Sequence, residues 1–158
     1  MTYIIRYAHS SDLHTLVKLE DTCFNTDKIS KRSFQRFLKT NSTVILVIEK
    51  EGLVIGAATL LRRANSKQIR LYSLAIQKEY RGQGVAAELD IAIEKWAKEH
   101  SYHDIVLEAR PDNTVAIKFY QKHGYKLFGR YIDFYEDGSD ALRMKKHICL
   151  EKQLLPIK

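Results

Sequence analysis

The chain has 158 residues, a formal charge of +7, 45% hydrophobic residues and 28% charged residues. That length and balance suit one soluble globular domain with a sizeable core. No apolar run approaches the roughly 18 residues of a membrane span, and the opening MTYIIRYAHSSD lacks a signal peptide's apolar stretch, so a cytoplasmic protein with no membrane partner is expected.

TYIIRYA, residues 2–8, is β-branched and aromatic and predicts a strand. In SSDLHTLVKLEDTCF, Ser10 or Ser11 can cap a helix, with Leu13, Leu16, Val17 and Glu20 along its rows. Ser30 can cap a second helix carrying Phe34, Phe37 and Leu38. TVILVIEK and LVIGAATLLRR flank Glu51-Gly52 as a hairpin, and KQIRLYSLAI (67–76) is the next strand. In VAAELDIAIEKWAKEH, Val85, Leu89, Ala92 and Trp96 trace the buried stripe of an amphipathic helix. DIVLEA (104–109) has apolar residues on both faces and belongs inside the sheet. NTVAIKFYQKHG is a helix with Asn113 as N-cap and Gly124 just past its end. YKLFGRYIDFY and DALRMKK pair antiparallel around the turn-rich EDGS. The order β-α-α-β-β-β-α-β-α-β-β predicts an α+β (mixed α/β) fold whose sheet is mostly antiparallel, with at least one β-α-β crossover. One domain is expected over 1–148, followed by a tail at 149–158.

EYRGQGVAAEL (79–89) holds two of the chain's 7 glycines between a strand and a helix. The first amides of a helix lack partners inside it, and the helix dipole favours negative charge there. Gly82 and Gly84 let a ligand approach the backbone closely, and Arg81 can add a charge-assisted contact. A plain tight turn is the alternative. No Lys-Ser/Thr follows Gly84, which removes the Walker phosphate loop, and the GxGxxG dinucleotide fingerprint is also incomplete.

Read as Arg-x-x-Gly-x-Ala, residues 81–86 resemble the acetyl-coenzyme A pyrophosphate loop of the GCN5-related N-acetyltransferase (GNAT) superfamily. LYSLAI before them resembles the family's central strand, and LEARPDNTVAIKFYQKHGYKLFGR (107–130) its second cofactor segment. YIDFYEDGSDALRMKK (131–146) resembles the closing strands of the branch that acetylates ribosomal-protein N-terminal alanines. The resemblance implies a sheet splayed between the fourth and fifth strands and flanked by about four helices. The donor would be acetyl-CoA, with coenzyme A as product. Backbone groups of Leu74, Ala75 and Ile76 would run beside the pantetheine arm. The amides of Arg81, Gly82, Gln83, Gly84, Val85 and Ala86 would hold the pyrophosphate, and Asn113 would contact the pantetheine. Glu108 matches the family's general base, and Tyr120 matches the tyrosine that protonates the departing thiolate. Tyr131 and Tyr135 would line a peptide groove, with residues 25–37 as its other wall.

The chemistry is consistent with those roles. A protein α-amine has a pKa near 8, so at neutral pH much of it must lose a proton before it can attack a thioester. Alternation places Val106, Glu108 and Arg110 on one face of their strand, and a glutamate in an otherwise apolar strand needs a reason. The alternative is a strand-end glutamate paired with Arg110 or Arg143. A phenol is protonated at neutral pH and can donate, although Tyr120 can also be a packed aromatic. A backbone N–H near 74–76 is the natural oxyanion donor. The acceptor is expected to be a protein or peptide N-terminus. Acylation of a small amine (polyamine, amino sugar or amino acid) is the enzyme rival, and an RNA-binding module is the non-enzyme rival. Nucleic acid is disfavoured because Phe119-Tyr120 lies on a helix and no GxxG pattern of the KH type occurs. The basic 28–36 segment is read as a wall for acidic peptides, a contact for the cofactor's 3′-phosphate, or a solvated face. His100 and His103 lack a second ligand pair, so no metal is expected. Cys23 and Cys149 are expected to be free, buried thiols, and the protein to be a monomer or weak homodimer.

Overall fold

The computed structural model describes residues 2–148. Its elements are β1 (Ile4–Tyr7), α1 (Leu13–Cys23), α2 (Lys31–Phe37), β2 (Thr43–Lys50), β3 (Leu53–Leu61), β4 (Gln68–Ile76), α3 (Val85–Glu99), β5 (Asp104–Ala109), α4 (Thr114–Lys122), β6 (Lys126–Tyr131) and β7 (Ala141–His147). The order is the expected one, and the sheet runs β1-β2-β3-β4-β5-β7-β6. Cys149 and the 149–158 tail lie outside the described residues. Among the described residues, no helix is long and apolar enough to cross a membrane.

The chain groups into two compact units that both draw on β4 and α3. The first runs up to Arg62 and includes Leu71–Ile93. In it, β1, β2 and β3 form an antiparallel meander with Ile5 opposite Ile48 and Val47 opposite Ala57. The hairpin turns at Glu51 and Gly52 with φ of 53° and 80°, the left-handed pair that matches strand twist. Leu16 and Leu19 of α1 pack with Ile29, Phe34, Ile45, Val47, Val54, Ala57 and Ala75. Truncating a side chain buried like Leu16 or Phe34 to alanine costs about 2–5 kcal/mol. Ser30 caps α2 as expected, accepting from the Ser33 amide at 3.0 Å.

The start of α1 differs from expectation. Residues Ser10–Asp12 form a single 3-10 turn, and neither Ser10 nor Ser11 caps the helix. The Asp12 carboxylate accepts instead from the His9 amide at 2.7 Å and from Arg6 Nη1 at 2.8 Å. An ionised acceptor backed by a guanidinium outcompetes a hydroxyl. The same Arg6 holds Asp12 below the usual carboxylate range, and it also pairs with Glu49.

The second unit comprises Arg63–Arg70 and the chain from Glu94 onward. Gln68, Ile69 and Arg70 of β4 pair with β5, in parallel, opposite Asp104, Ile105 and Val106. The strand order is the one expected of a sheet splayed between its fourth and fifth strands. β7 pairs with β5 from Asp104↔His147 to Ala109↔Leu142. α3 buries Val85, Leu89 and Trp96 as expected, but the remaining stripe positions are Ile93 and Ala97, and Ala92 is only half-buried. Asn113 caps α4, accepting from the Ala116 amide at 3.2 Å, and Gly124 follows its end with φ of 94°. The strand expected to reach residue 135 stops at Tyr131. Asp140 there accepts from the Asp133 amide at 3.1 Å and from Arg130 at 2.9 Å, which closes a turn instead of extending the strand.

Candidate functional site

In the first unit, β4 leads through a short turn into α3. Gly82 and Gly84 have φ of 75° and 81°, and nothing lies within 4 Å of a Cβ added at either. The first helical bond of α3 is Glu88 N–H to the Gly84 carbonyl, at 3.0 Å. Among the described residues, the backbone amides of 82–87 donate to no acceptor. A run of such amides over open space, at a helix start, is built to receive an anion. Arg81 does not point its Nε at that space: Nε donates to the Ile76 carbonyl at 3.0 Å and ties the loop to the strand end. Gln83 Nε2 makes a second tie, to the Glu79 carbonyl at 3.0 Å.

Leu74, Ala75 and Ile76 form the end of β4. Gly56 of β3 fits closely beside them: a Cβ there would meet Ile76 Cδ1 at 2.8 Å and the Ala75 carbonyl at 3.1 Å. The Ile76 carbonyl accepts from both Arg81 and the free thiol of Cys23, whose Sγ lies at 3.3 Å. Cys23 is half-buried, not fully buried as expected. Next along the strand, the Ser73 hydroxyl donates to Glu20 Oε1 at 2.6 Å, and the Ile29 amide donates to Oε2 at 2.9 Å. Glu20 is 4% exposed. Burial pushes its carboxyl up, and the bonds from Ser73 and Ile29 pull partly back. This carboxylate links α1, β4 and the approach to basic α2. Its place on the apolar row of α1 was the sequence signal for its burial.

In the second unit, Glu108 of β5 is nearly buried, its side chain 10% exposed. Its partner is neither Arg110 nor Arg143. Arg70 of β4 donates from Nε at 2.7 Å and from Nη2 at 2.6 Å, both to Oε1. Among the described residues nothing donates to Oε2. Arg110 goes instead to Asp137 at 3.0 Å and lies 4.2 Å over the Tyr135 ring. Arg143, the direct cross-strand neighbour of Glu108, lies over Phe128 and Tyr131. Asn113 uses Oδ1 for its capping bond, which leaves the Nδ2 donors for other partners. Tyr120 packs edge-on to Phe119 and Tyr125, at 5.5 and 5.3 Å. Tyr131 stacks on Phe134 at 5.4 Å, and Phe134 meets Tyr135 edge-on. The turn that follows is firmly held: hydrogen bonds from Ser139, with help from Arg110, lower Asp137 to about 2.

The pieces amount to a candidate anion cradle in one unit and, in the other, a carboxylate with one oxygen fixed and one without a donor among the described residues. Among the described residues, no group of three or more His, Cys, Asp or Glu side chains could hold a metal. His100 stacks on Trp96 at 4.2 Å.

The acetyltransferase (GNAT) family model matches residues 5–125. The chain is 30% identical to N-alpha-acetyltransferase 30 of Schizosaccharomyces pombe over 148 residues, 90% of this chain and 96% of that one. Its fold is similar to that of the ribosomal-protein-S18-alanine N-acetyltransferase from Escherichia coli, with a TM-score of 0.84 and 19% identity over 99% of this chain and 100% of that one. It is also similar to the PaiA N-acetyltransferase from Thermoplasma acidophilum in complex with coenzyme A, with a TM-score of 0.78 and 22% identity over 93% and 99% of the two chains.

Proposed function

The chain belongs to the acetyltransferase (GNAT) family, and from that premise we propose that it transfers acetyl to the N-terminal α-amine of a protein or peptide. It is an N-acetyltransferase that uses acetyl-CoA. The observation that carries the acceptor class is the near full-length similarity to an N-alpha-acetyltransferase.

In this reading the first unit holds the donor. The amides of 82–86 and the start of α3 bind the pyrophosphate through backbone, and Arg81, whose own amide donates to the Lys78 carbonyl at 3.2 Å, acts by bracing the loop. With the Ile76 carbonyl occupied by Arg81 and Cys23, the pantetheine arm is left to the backbone of Leu74 and Ala75. An N–H of that stretch receives the oxyanion as the tetrahedral intermediate forms.

The second unit prepares the acceptor. Glu108 takes a proton from the ammonium on Oε2, directly or through a water, while Arg70 fixes Oε1 and with it the orientation of the carboxylate. The neutral amine attacks the thioester carbonyl. Tyr120 gives its hydroxyl proton to the sulfur as the carbon–sulfur bond breaks, the proton that the nitrogen sheds on becoming an amide returns to the phenolate through solvent, and coenzyme A leaves. Asn113 contributes its amide N–H groups to the pantetheine. Tyr131 and Tyr135 flank the acceptor.

The test is an acetyl-CoA assay against a pool of N-terminal peptides, lysine peptides and small amines, read by mass spectrometry. The reading expects mass gain on peptide α-amines. Acetylation confined to polyamines, amino sugars or lysine side chains would sink it.

A further inference from the structure

Among the described residues Arg143 is a cation without a carboxylate, in a unit where several other basic side chains have one. Arg70 meets Glu108, Arg110 meets Asp137 at 3.0 Å, Arg130 meets Asp140 at 2.9 Å and Lys146 meets Glu94 at 3.1 Å. Among the described residues, Arg143 makes no such pair, and its buried Nε has no hydrogen-bond partner. Its register makes this notable. Arg143 stands directly opposite Glu108 on β5, where side chains share a face and opposite charges ordinarily join. Instead, the guanidinium turns toward β6.

The destination is a shaped slot. Gly129 lies opposite Arg143 on its other side, and a Cβ at Gly129 would touch Arg143 Cδ at 3.5 Å and Nη1 at 3.9 Å, so the side chain passes over the glycine. The shift in the β6–β7 register between Leu127 and Gly129 falls at Phe128. Phe128 and Tyr131 supply the aromatic sides, with Arg143 Cζ 4.5 Å and 4.3 Å from their ring centres. Lys145, two residues on and so on the same face, places Nζ 4.6 Å over the Phe128 ring and also lacks a carboxylate among the described residues. Phe128 and Tyr131 are each 40% exposed, so the slot is open to solvent. A guanidinium held by its flat faces keeps its N–H edge for a planar anion, the geometry that favours bidentate carboxylate binding.

We propose that Arg143, supported by Lys145, recognises a carboxylate on the acceptor and selects peptides with an acidic side chain at their second or third residue. This rests on the reading of the acceptor as a peptide α-amine. Position argues for a side chain further along a peptide. Glu108, Arg143 and Gly129 form one row across three strands, and the guanidinium lies over the Gly129 end, so it sits about 10 Å, two strand spacings, from the Glu108 end. An extended peptide advances about 3.3 Å per residue, which brings its second or third side chain there. The carboxylate of a free amino acid, two bonds from its own nitrogen, falls short.

The experiment measures kcat/KM on peptides that share a first residue and carry Asp, Asn or Lys at positions two and three, with free aspartate and glutamate as a separate arm. The readout is the ratio between acidic and neutral peptides within each enzyme, which is independent of how much of a variant folds. The wild type should favour acidic peptides by about 10- to 100-fold, chiefly through KM, with the preference shrinking as salt is raised. Arg143→Gln should bring the ratio near one, and Arg143→Glu should turn it toward lysine peptides. A wild-type ratio near one, or an unchanged ratio in Arg143→Gln, overturns the proposal even while peptides are acetylated. Efficient acetylation of the free acidic amino acids overturns the placement of the carboxylate along a peptide. Failure of every peptide in the series removes the acceptor reading itself.

Discussion

Arg70 grips one oxygen of Glu108 twice, from Nε at 2.7 Å and Nη2 at 2.6 Å, and leaves the other oxygen to whatever approaches the strand edge. Arg70 stands opposite Val106 in the parallel β4–β5 register, and Glu108 is two residues further along β5, on the same face as Val106. In the proposed mechanism a carboxylate held in this way is oriented before the amine arrives, so a general base spends no binding energy on its own alignment.

The first prediction separates the two partners. Glu108→Gln keeps the shape but cannot accept the proton, so kcat/KM should fall by about 100- to 10,000-fold at neutral pH. The loss should narrow above pH 8, where the α-amine is already neutral. Arg70→Met should cost about 10-fold, in kcat more than in KM, because the base remains but is no longer aimed. Wild-type rates for Glu108→Gln across the pH range would remove Glu108 from the mechanism.

Tyr120→Phe removes one hydroxyl from a ring that stays packed against Phe119 and Tyr125. A drop of about 10- to 100-fold in kcat, with the melting temperature little changed, is expected for a lost general acid. Equal kcat in the two enzymes would return Tyr120 to a packing role.

Gly84 offers a test of the anion cradle. Its φ of 81° costs an L-residue about 1–2 kcal/mol. Gly52, with φ of 80° and equally open space in the β2–β3 hairpin, is a matched control. Both Gly→Ala variants should lose similar stability in urea unfolding. Only Gly84→Ala should weaken coenzyme A binding, measured calorimetrically, because only there does the added carbon stand over the free amides. Equal coenzyme A affinity in both variants would place the pyrophosphate elsewhere.

Burial raises the Glu20 carboxyl above its unfolded value, and this carries a pH dependence. A carboxyl raised on folding holds its proton more tightly in the native state. Its contribution to stability is therefore full below the unfolded pKa of about 4.5 and is lost as pH rises through the folded value. Glu20→Gln keeps an acceptor for Ser73 or Ile29 and has nothing to ionise. Relative to the wild type, the variant should gain stability as pH rises above about 4.5 and then level off. Denaturant unfolding between pH 4 and pH 8 measures the difference, and a trend in the opposite direction would contradict the burial argument.

Local signals are legible in the sequence, and long-range pairings are not. Ser30, Asn113 and Gly124 mark helix ends because capping uses atoms within three or four residues. The turn of Glu51-Gly52 and the interior position of DIVLEA were legible for the same reason. Neither serine caps α1, and Asp12 at its start turns its carboxylate back to the His9 amide and to Arg6, a partner from a different element. The partner of Glu108 was missed because Arg70 is 38 residues away and meets it only through strand register. Glu20 stood on an apolar helical row, which signalled its burial, but nothing local pointed to Ser73, 53 residues on. The unpaired state of Arg143 was equally invisible, since it depends on the Phe128 bulge and on Gly129.

The most direct measurement uses one peptide with a free α-amine and an internal lysine, incubated with the protein and acetyl-CoA, and locates the acetyl group from fragment-ion masses. The account predicts a single acetyl on the α-amine, formed by the wild type and nearly absent with Glu108→Gln. Acetyl on the lysine, or equal product from both enzymes, would contradict it.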